Sequence, residues 1–335
     1  MKEMPTKVQH VMIVVAMEQE IAPLIQRFDL QPVDSCFLAG APFVAWVGSV
    51  DGLTVHAIWC GRDPRFGNVN NVATTAAAVA TYAAIAAFGA PDLLLSAGTA
   101  GGFAACNARV GDVFLSTKSI FHSRRIPSGD DGRLEEYGFG HYRSPPLSGL
   151  AARAGLKLGV ISTSDSLDTV PMDLELMRGE GAAVKEMEAA AVAWVCSALG
   201  VPFVAVKAIT DIVDGPHATR GEFEANLEMA SAALQAKVAL LLTSIANTEL
   251  RNWALGGSGE ASAQSTASTE TSHQPSPANV DPTPINPQLV AMLRRQASSN
   301  VSEARGSGRS SWFAGIGGAL AGATVVIAAM HMLRR

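Results

Sequence analysis

The chain has 335 residues, 48% of them hydrophobic, and a formal net charge of −5. That is enough apolar material for an α/β core, and basic residues scattered through the first 250 positions leave no footprint for a nucleic-acid backbone. Four cysteines, Cys36, Cys60, Cys106 and Cys196, lie far apart without Cys-x-x-Cys or Cys/His ligand spacing, so reduced thiols are expected, with no disulfide, metal or cofactor.

The N-terminal segment enters an apolar run of about six residues at Val11, too short for the core of a signal peptide. That run predicts a buried strand over Val11–Ala16, and a helix follows over Glu18–Phe28. Strands are predicted over Phe43–Val47 and Thr54–Cys60, then a helix over Asn70–Phe88, then strands over Asp92–Ala97, Asp112–Ser116 and Leu158–Ser162. A helix over Val184–Leu199 stops at Gly200 with Pro202 beyond it. A strand over Phe203–Ile209 and a helix over Arg220–Ala246 complete the pattern. Short apolar runs alternating with helix-period stretches indicate a single α/β domain over residues 1–250, its central mixed, largely parallel sheet flanked by helices.

Residues 251–310 read as a flexible linker, because 256–287 are dominated by Ser, Thr, Gly, Pro, Ala and Gln and carry too little apolar surface to fold. Residues 311–335 contain Trp312–Met330, nineteen residues without a charge, close to the ~20 that span a bilayer as a helix. A membrane anchor is expected there, tethered to an enzyme that faces the cytosol from an organelle membrane. A core helix of a further domain is the competing reading, but no other foldable sequence lies nearby to bury it.

In open parallel sheets, ligands bind outside the carboxyl ends of the strands, so the residues there come first. The first strand delivers Met17-Glu18-Gln19-Glu20 at a helix start, where acidic residues also serve as dipole partners. Asp92–Ala97 runs into Gly98-Thr99-Ala100-Gly101-Gly102, where glycines allow close backbone approach to a ligand and equally suit a tight turn. Phe203–Ile209 leads to Thr210-Asp211, and an Asp after a strand is often a cap. Glu188 lies in Met187-Glu188-Ala189-Ala190-Ala191-Val192, apolar on either helix face, and needs a partner such as Lys207 or a ligand.

Eight blocks carry a resemblance from about Val8 to Ala246. They are Ala16-Met17-Glu18-Gln19-Glu20, Cys60-Gly61-Arg62-Asp63, Ala97-Gly98-Thr99-Ala100-Gly101-Gly102-Phe103, Phe121-His122-Ser123-Arg124-Arg125-Ile126-Pro127, Tyr137-Gly138-Phe139-Gly140, Ser162-Thr163-Ser164-Asp165-Ser166-Leu167-Asp168, Met187-Glu188-Ala189-Ala190-Ala191-Val192 and Lys207-Ala208-Ile209-Thr210-Asp211-Ile212-Val213-Asp214-Gly215. In this order they resemble the nucleoside phosphorylase superfamily and, within it, the plant-type 5′-methylthioadenosine nucleosidases.

The resemblance implies a nucleoside phosphorylase-like fold, usually a homodimer, and hydrolysis of 5′-methylthioadenosine to adenine and 5-methylthioribose in methionine salvage. S-adenosylhomocysteine is a second implied substrate. It implies Asp211 as the neutral acid that protonates adenine N7, Glu20 as the residue that activates water, and Glu188 as an ionised acceptor for the ribose hydroxyls with Met187 against the sugar. Thr99, Lys185, Glu186 and Thr210 fall among the substrate-binding positions, Ser166-Leu167-Asp168 reads the adenine edge, and Met17 with residues 121–127, of the same chain or reaching in from a partner subunit, forms an apolar slot for the methylthio group. A phosphorylase of the same fold is the nearest alternative, with Arg62, Arg65, Arg124 and Arg125 available to an anion or simply locking loops. A non-catalytic binding or storage protein is the other.

Overall fold

In chain order the elements are β1 (His10–Val15), α1 (Glu18–Arg27), β2 (Gln31–Pro32), β3 (Val44–Val50), β4 (Leu53–Trp59), β5 (Arg62–Asp63), β6 (Val69–Asn70), α2 (Ala73–Phe88) and β7 (Leu93–Gly102). They continue as β8 (Val113–Phe121), α3 (Arg133–Phe139), β9 (Tyr142–Arg143), α4 (Ser148–Ala154), β10 (Lys157–Thr163), α5 (Pro171–Gly179), β11 (Ala182–Glu186), α6 (Ala189–Leu199), β12 (Phe203–Ile212) and α7 (Thr219–Ile245). This computed structural model describes residues 7–126, 133–216, 219–246, 248, 249 and 253, all within the unit Met1–Ala267. The expected linker beyond Trp253 and the apolar segment Trp312–Met330 lie outside the described residues.

One mixed sheet of ten strands has the order β11-β10-β8-β12-β7-β1-β4-β3-β2, with β9 on β8. The central pairs β4–β1–β7–β12 are parallel, whereas β12–β8 and β11–β7 are antiparallel. Because β11 also pairs with β7, the strands β7, β12, β8, β10 and β11 close into a ring. β1 shows why the central strands read as continuous apolar runs. Val11, Ile13 and Val15 point to a core with Ile21 and Leu24 of α1 and Leu234, Val238 and Leu242 of α7, while Met12 and Val14 point to the opposite core. On the helix side that second core includes small residues, Ala77, Ala80 and Ala84 of α2 and Ala189 and Ala193 of α6, which lets these two helices lie close to the sheet.

α7 is the one helix among the described residues long and apolar enough to cross a membrane, yet Leu234, Val238, Leu241 and Leu242 on it are core residues of the sheet domain. Trp253, just beyond it, is fully buried in the same core and donates its indole N–H to Thr248 Oγ1 at 2.9 Å.

Several element boundaries differ from the sequence expectation, β8 running on to Phe121 and β3 to Val50, and three of the differences shape the site. The helix expected from Val184 begins at Ala189, since Val184 and Glu186 pair with Ile161 and Thr163 of β10, and the Glu186 carboxylate accepts the Glu188 and Ala189 N–H groups that open α6. Gly98–Gly102 is the second half of β7 rather than a loop, and Thr210–Asp211 lies inside β12 rather than after it. Both strands run on because ring closure supplies partners for their far ends: Gly101 and Gly102 pair with Lys185 and Val184 of β11. The predicted stop of α6 holds, with Gly200 at φ 67° and its N–H on the last turn.

Candidate active site

At the carboxyl ends of β1, β7 and β12 lies a cavity of about 280 Å³. Glu20, Asp211, Thr99, Lys185, Glu186, Met187, Glu188, Leu167, Met17 and Thr210, scattered over nearly 200 positions of sequence, all line it. Val72, Thr169 and Phe223 line it too and were not singled out in the sequence. Their only signal is apolar or small character in segments without a motif.

Each of three carboxylates sits differently. Glu20, in the first turn of α1, reaches back to the Met17 N–H at 3.2 Å and accepts the Thr99 N–H at 2.6 Å and the Thr99 hydroxyl at 2.8 Å. Burial pushes its pKa above the ordinary carboxylate value, with the Thr99 bonds opposing it. Glu188 accepts the Ala73 N–H at 2.9 Å, and burial raises its pKa to about 7, with Lys207 opposing and Glu186 reinforcing the rise. Burial thus works against the ionised Glu188 that the sequence reading expects, and Lys207 works for it. Asp211 accepts the Thr210 hydroxyl on Oδ1 at 2.7 Å, whereas its buried Oδ2 has no hydrogen-bond partner. Burial raises its pKa, opposed chiefly by the Thr210 bond.

Gly101 makes the room Asp211 needs: a Cβ there would stand 2.8 Å from Asp211 Oδ2 and 2.6 Å from Val213 Cγ2. Ala73 is bound to its unusual φ of 75° by the bond its N–H gives Glu188, while Asp165 accepts the next N–H, of Thr74, at 2.8 Å.

A buried lysine underlies the cluster. Lys207 Nζ stands 2.8 Å from Glu186 and 3.9 Å from Glu188. The close partner is thus Glu186, and Lys207, one of the two partners the sequence offered for Glu188, stands at the longer distance from it. Burial disfavours the Lys207 cation, but Glu186, Glu188 and Glu20 outweigh it and hold the pKa above the usual lysine value. Glu186 is fully engaged within the protein, by Lys207, the Thr163 hydroxyl and the Glu188 and Ala189 N–H groups. Lys185 donates to the carbonyls of Ser166 at 2.7 Å and Leu167 at 2.8 Å, so it fastens the loop at the cavity wall.

The arginines stand elsewhere. Arg62 pairs with Glu18, Arg65 with Asp63 at 2.6 Å and Arg125 with Asp173 at 3.1 Å. Arg124 lies between the rings of Phe121 and Tyr137 and donates to the Tyr137 carbonyl. None of the four lines the cavity, and neither do Phe121–Ile126 of the same chain; Pro127 is outside the described residues.

A closed mixed sheet with an acid-rich cavity at its strand ends defines the class: residues 10–246 match the model of the phosphorylase superfamily, and the chain belongs to that superfamily. Within it the chain is 39% identical over 229 residues to the 5′-methylthioadenosine nucleosidase of Arabidopsis thaliana, covering 68% of this chain and 84% of that one. It is also 39% identical over 225 residues to the 5′-methylthioadenosine/S-adenosylhomocysteine nucleosidase of the same plant, covering 67% and 87%. The solved apo structure of an Arabidopsis thaliana 5′-methylthioadenosine nucleosidase superposes with a TM-score of 0.70 at 37% identity, over 73% of this chain and 98% of that one.

Proposed function

We propose that the chain is a hydrolase that cleaves the N-ribosidic bond of 5′-methylthioadenosine, giving adenine and 5-methylthioribose. The observation that carries this reading is the meeting of Glu20, Glu188 and Asp211 around one cavity, and the names of the Arabidopsis relatives agree with it. Adenine leaves well only when protonated. Asp211, whose pKa burial raises, is the acid and donates from its unpartnered Oδ2 to N7. The N9–ribose bond breaks with its electron pair going to the base, and the sugar becomes cationic at the anomeric carbon. Glu20 orients a water towards that carbon and accepts its proton. The ribose hydroxyls donate to Glu188, and Met187 packs on the sugar. The Ser166–Leu167 backbone reads the adenine edge, fastened by Lys185. Met17, Val72 and Phe223 supply an apolar end for the methylthio group. S-adenosylhomocysteine is a second substrate of the same site.

Water rather than phosphate is the nucleophile, because the four arginines that could hold an anion are committed away from the cavity, whose wall carries carboxyl groups instead. Asp211→Asn keeps the shape of the acid without a transferable proton. It is expected to lower kcat by about 10²–10⁴-fold while nucleoside binding persists. A fully active variant would refute the general-acid role, and one that binds the nucleoside while the parent releases no adenine would favour a non-catalytic binding protein.

The chain is further proposed to act as a homodimer, since Val79 and Tyr82 of α2 and Trp194 of α6, two helices that pack together, are large apolar side chains exposed over about half of their surface. Trp312–Met330 is proposed to anchor it in an organelle membrane, leaving the catalytic unit in the cytosol.

A further inference from the structure

Thr210 occupies an irregular place in the sheet. In the β12–β7 ladder Ile209 faces Ala100 and Asp211 faces Gly101, so Thr210 is the extra residue of a bulge. Its backbone is fixed by the bond Asn226 Nδ2 gives its carbonyl at 2.9 Å. The bulge aims its fully buried hydroxyl at two acceptors at once, Asp211 Oδ1 at 2.7 Å and the Ala100 carbonyl at 3.1 Å. A hydroxyl has one hydrogen, so it donates to only one of them at a time.

Two arrangements of the same heavy atoms satisfy this geometry. In the first, Thr210 donates to Ala100 O and the carboxylic proton sits on Asp211 Oδ1, donated to Thr210 Oγ1; the proton is stored away from the substrate. In the second, Thr210 turns its hydrogen to Oδ1 and the proton sits on Oδ2, the oxygen without a protein partner. We infer that Thr210 is a rotating positioning residue: it stores the Asp211 proton in the free enzyme and, when a purine nitrogen arrives, a half-turn of the carboxyl about Cβ–Cγ carries the protonated oxygen into the Oδ2 place while Thr210 turns its hydrogen to the bare oxygen in the Oδ1 place. The inference rests on the nucleosidase reading above and deepens it.

The cycle balances. The proton leaves Oδ2 for the base, Asp211 becomes a carboxylate, and Thr210 keeps donating to Oδ1, a charge-assisted bond that stabilises the ionised acid. The adenine proton is later replaced from solvent, and Thr210 returns to Ala100. Without the hydroxyl the carboxylate loses that donor, so the acid becomes weaker and gives up its proton less readily. Its pKa rises further, since the Thr210 bond now lowers it.

The test is the pH profile of kcat/KM for 5′-methylthioadenosine with the full chain, comparing the parent with Thr210→Val and Thr210→Ser; Thr210→Ala replaces the Val variant if that one does not fold. Activity requires the protonated acid, so it falls above the Asp211 pKa. Thr210→Val is expected to lower the plateau about tenfold and move the falling limb up by about one pH unit, while Thr210→Ser, which keeps the hydroxyl, restores both. A lowered plateau with an unmoved limb, or a Ser variant as impaired as Val, overturns the rotor and leaves the nucleosidase reading standing. A parent chain that releases no adenine overturns that reading and this inference with it.

Discussion

Asp211, Glu188 and Glu20 show how residues of one chemical type acquire separate roles from their surroundings. All three are pushed towards the neutral form by burial, but the hydrogen bonds they accept differ: Glu20 holds three donors, Glu188 one backbone N–H and a distant lysine, and Asp211 a single hydroxyl. For Glu188 the sign of the pH effect follows directly. Its folded pKa of about 7 lies above the ordinary value, so the fold favours the proton. The associated stability is complete below the ordinary carboxylate pKa and is lost as pH rises through about 7. Thermal melts of the ligand-free protein from about pH 5 to pH 8 should show a smaller loss in Glu188→Gln than in the parent. Nucleoside binding has the opposite sign, because ribose hydroxyls need the ionised acceptor: KM should rise below about pH 7, towards tenfold per unit. A KM flat from about pH 5 to pH 8 would contradict the ribose role of Glu188.

At the scale of elements, the site depends on two strands that bring backbone and carboxylate within contact distance. β7 and β12 approach so closely at Gly101 that a methyl group would strike Asp211 and Val213. Gly101→Ala is therefore expected to cost about 1–3 kcal/mol of stability in chemical denaturation and to reduce kcat at least tenfold by displacing the acid. A variant with parental kcat would show that the acid tolerates displacement. The same elements mark what sequence could and could not reveal. β1 and the first halves of β7 and β12 were legible as short, mostly apolar runs, and the stop of α6 as Gly200 followed by Pro202. β11 was not, because Ala-Ala-Val-Lys-Glu also continues a helical pattern, and only pairing with β10 and β7 makes it a strand. The candidate carboxylates were conspicuous as charges in apolar sequence. Val72 and Phe223 were not, since an apolar residue facing a ligand looks like one facing the core.

The whole molecule joins a folded domain to a long C-terminal segment of different composition, and each part makes its own demand. If the exposed face of α2 and α6 is covered by a second copy, sedimentation at micromolar concentration should give a dimer, and Trp194→Glu a monomer; a parent that sediments as a monomer contradicts the dimer. A fluorescent protein fused to residues 300–335 should collect on an organelle membrane, and one that stays diffuse ends the anchor proposal. The central claim, hydrolysis at a cavity where Glu20, Glu188 and Asp211 meet, is met most directly by product analysis. The purified chain is incubated with 5′-methylthioadenosine, with and without inorganic phosphate, and the purine and sugar products are separated. Free adenine and 5-methylthioribose at a rate indifferent to phosphate is the predicted result; adenine formed only with phosphate, together with a sugar 1-phosphate, would contradict it.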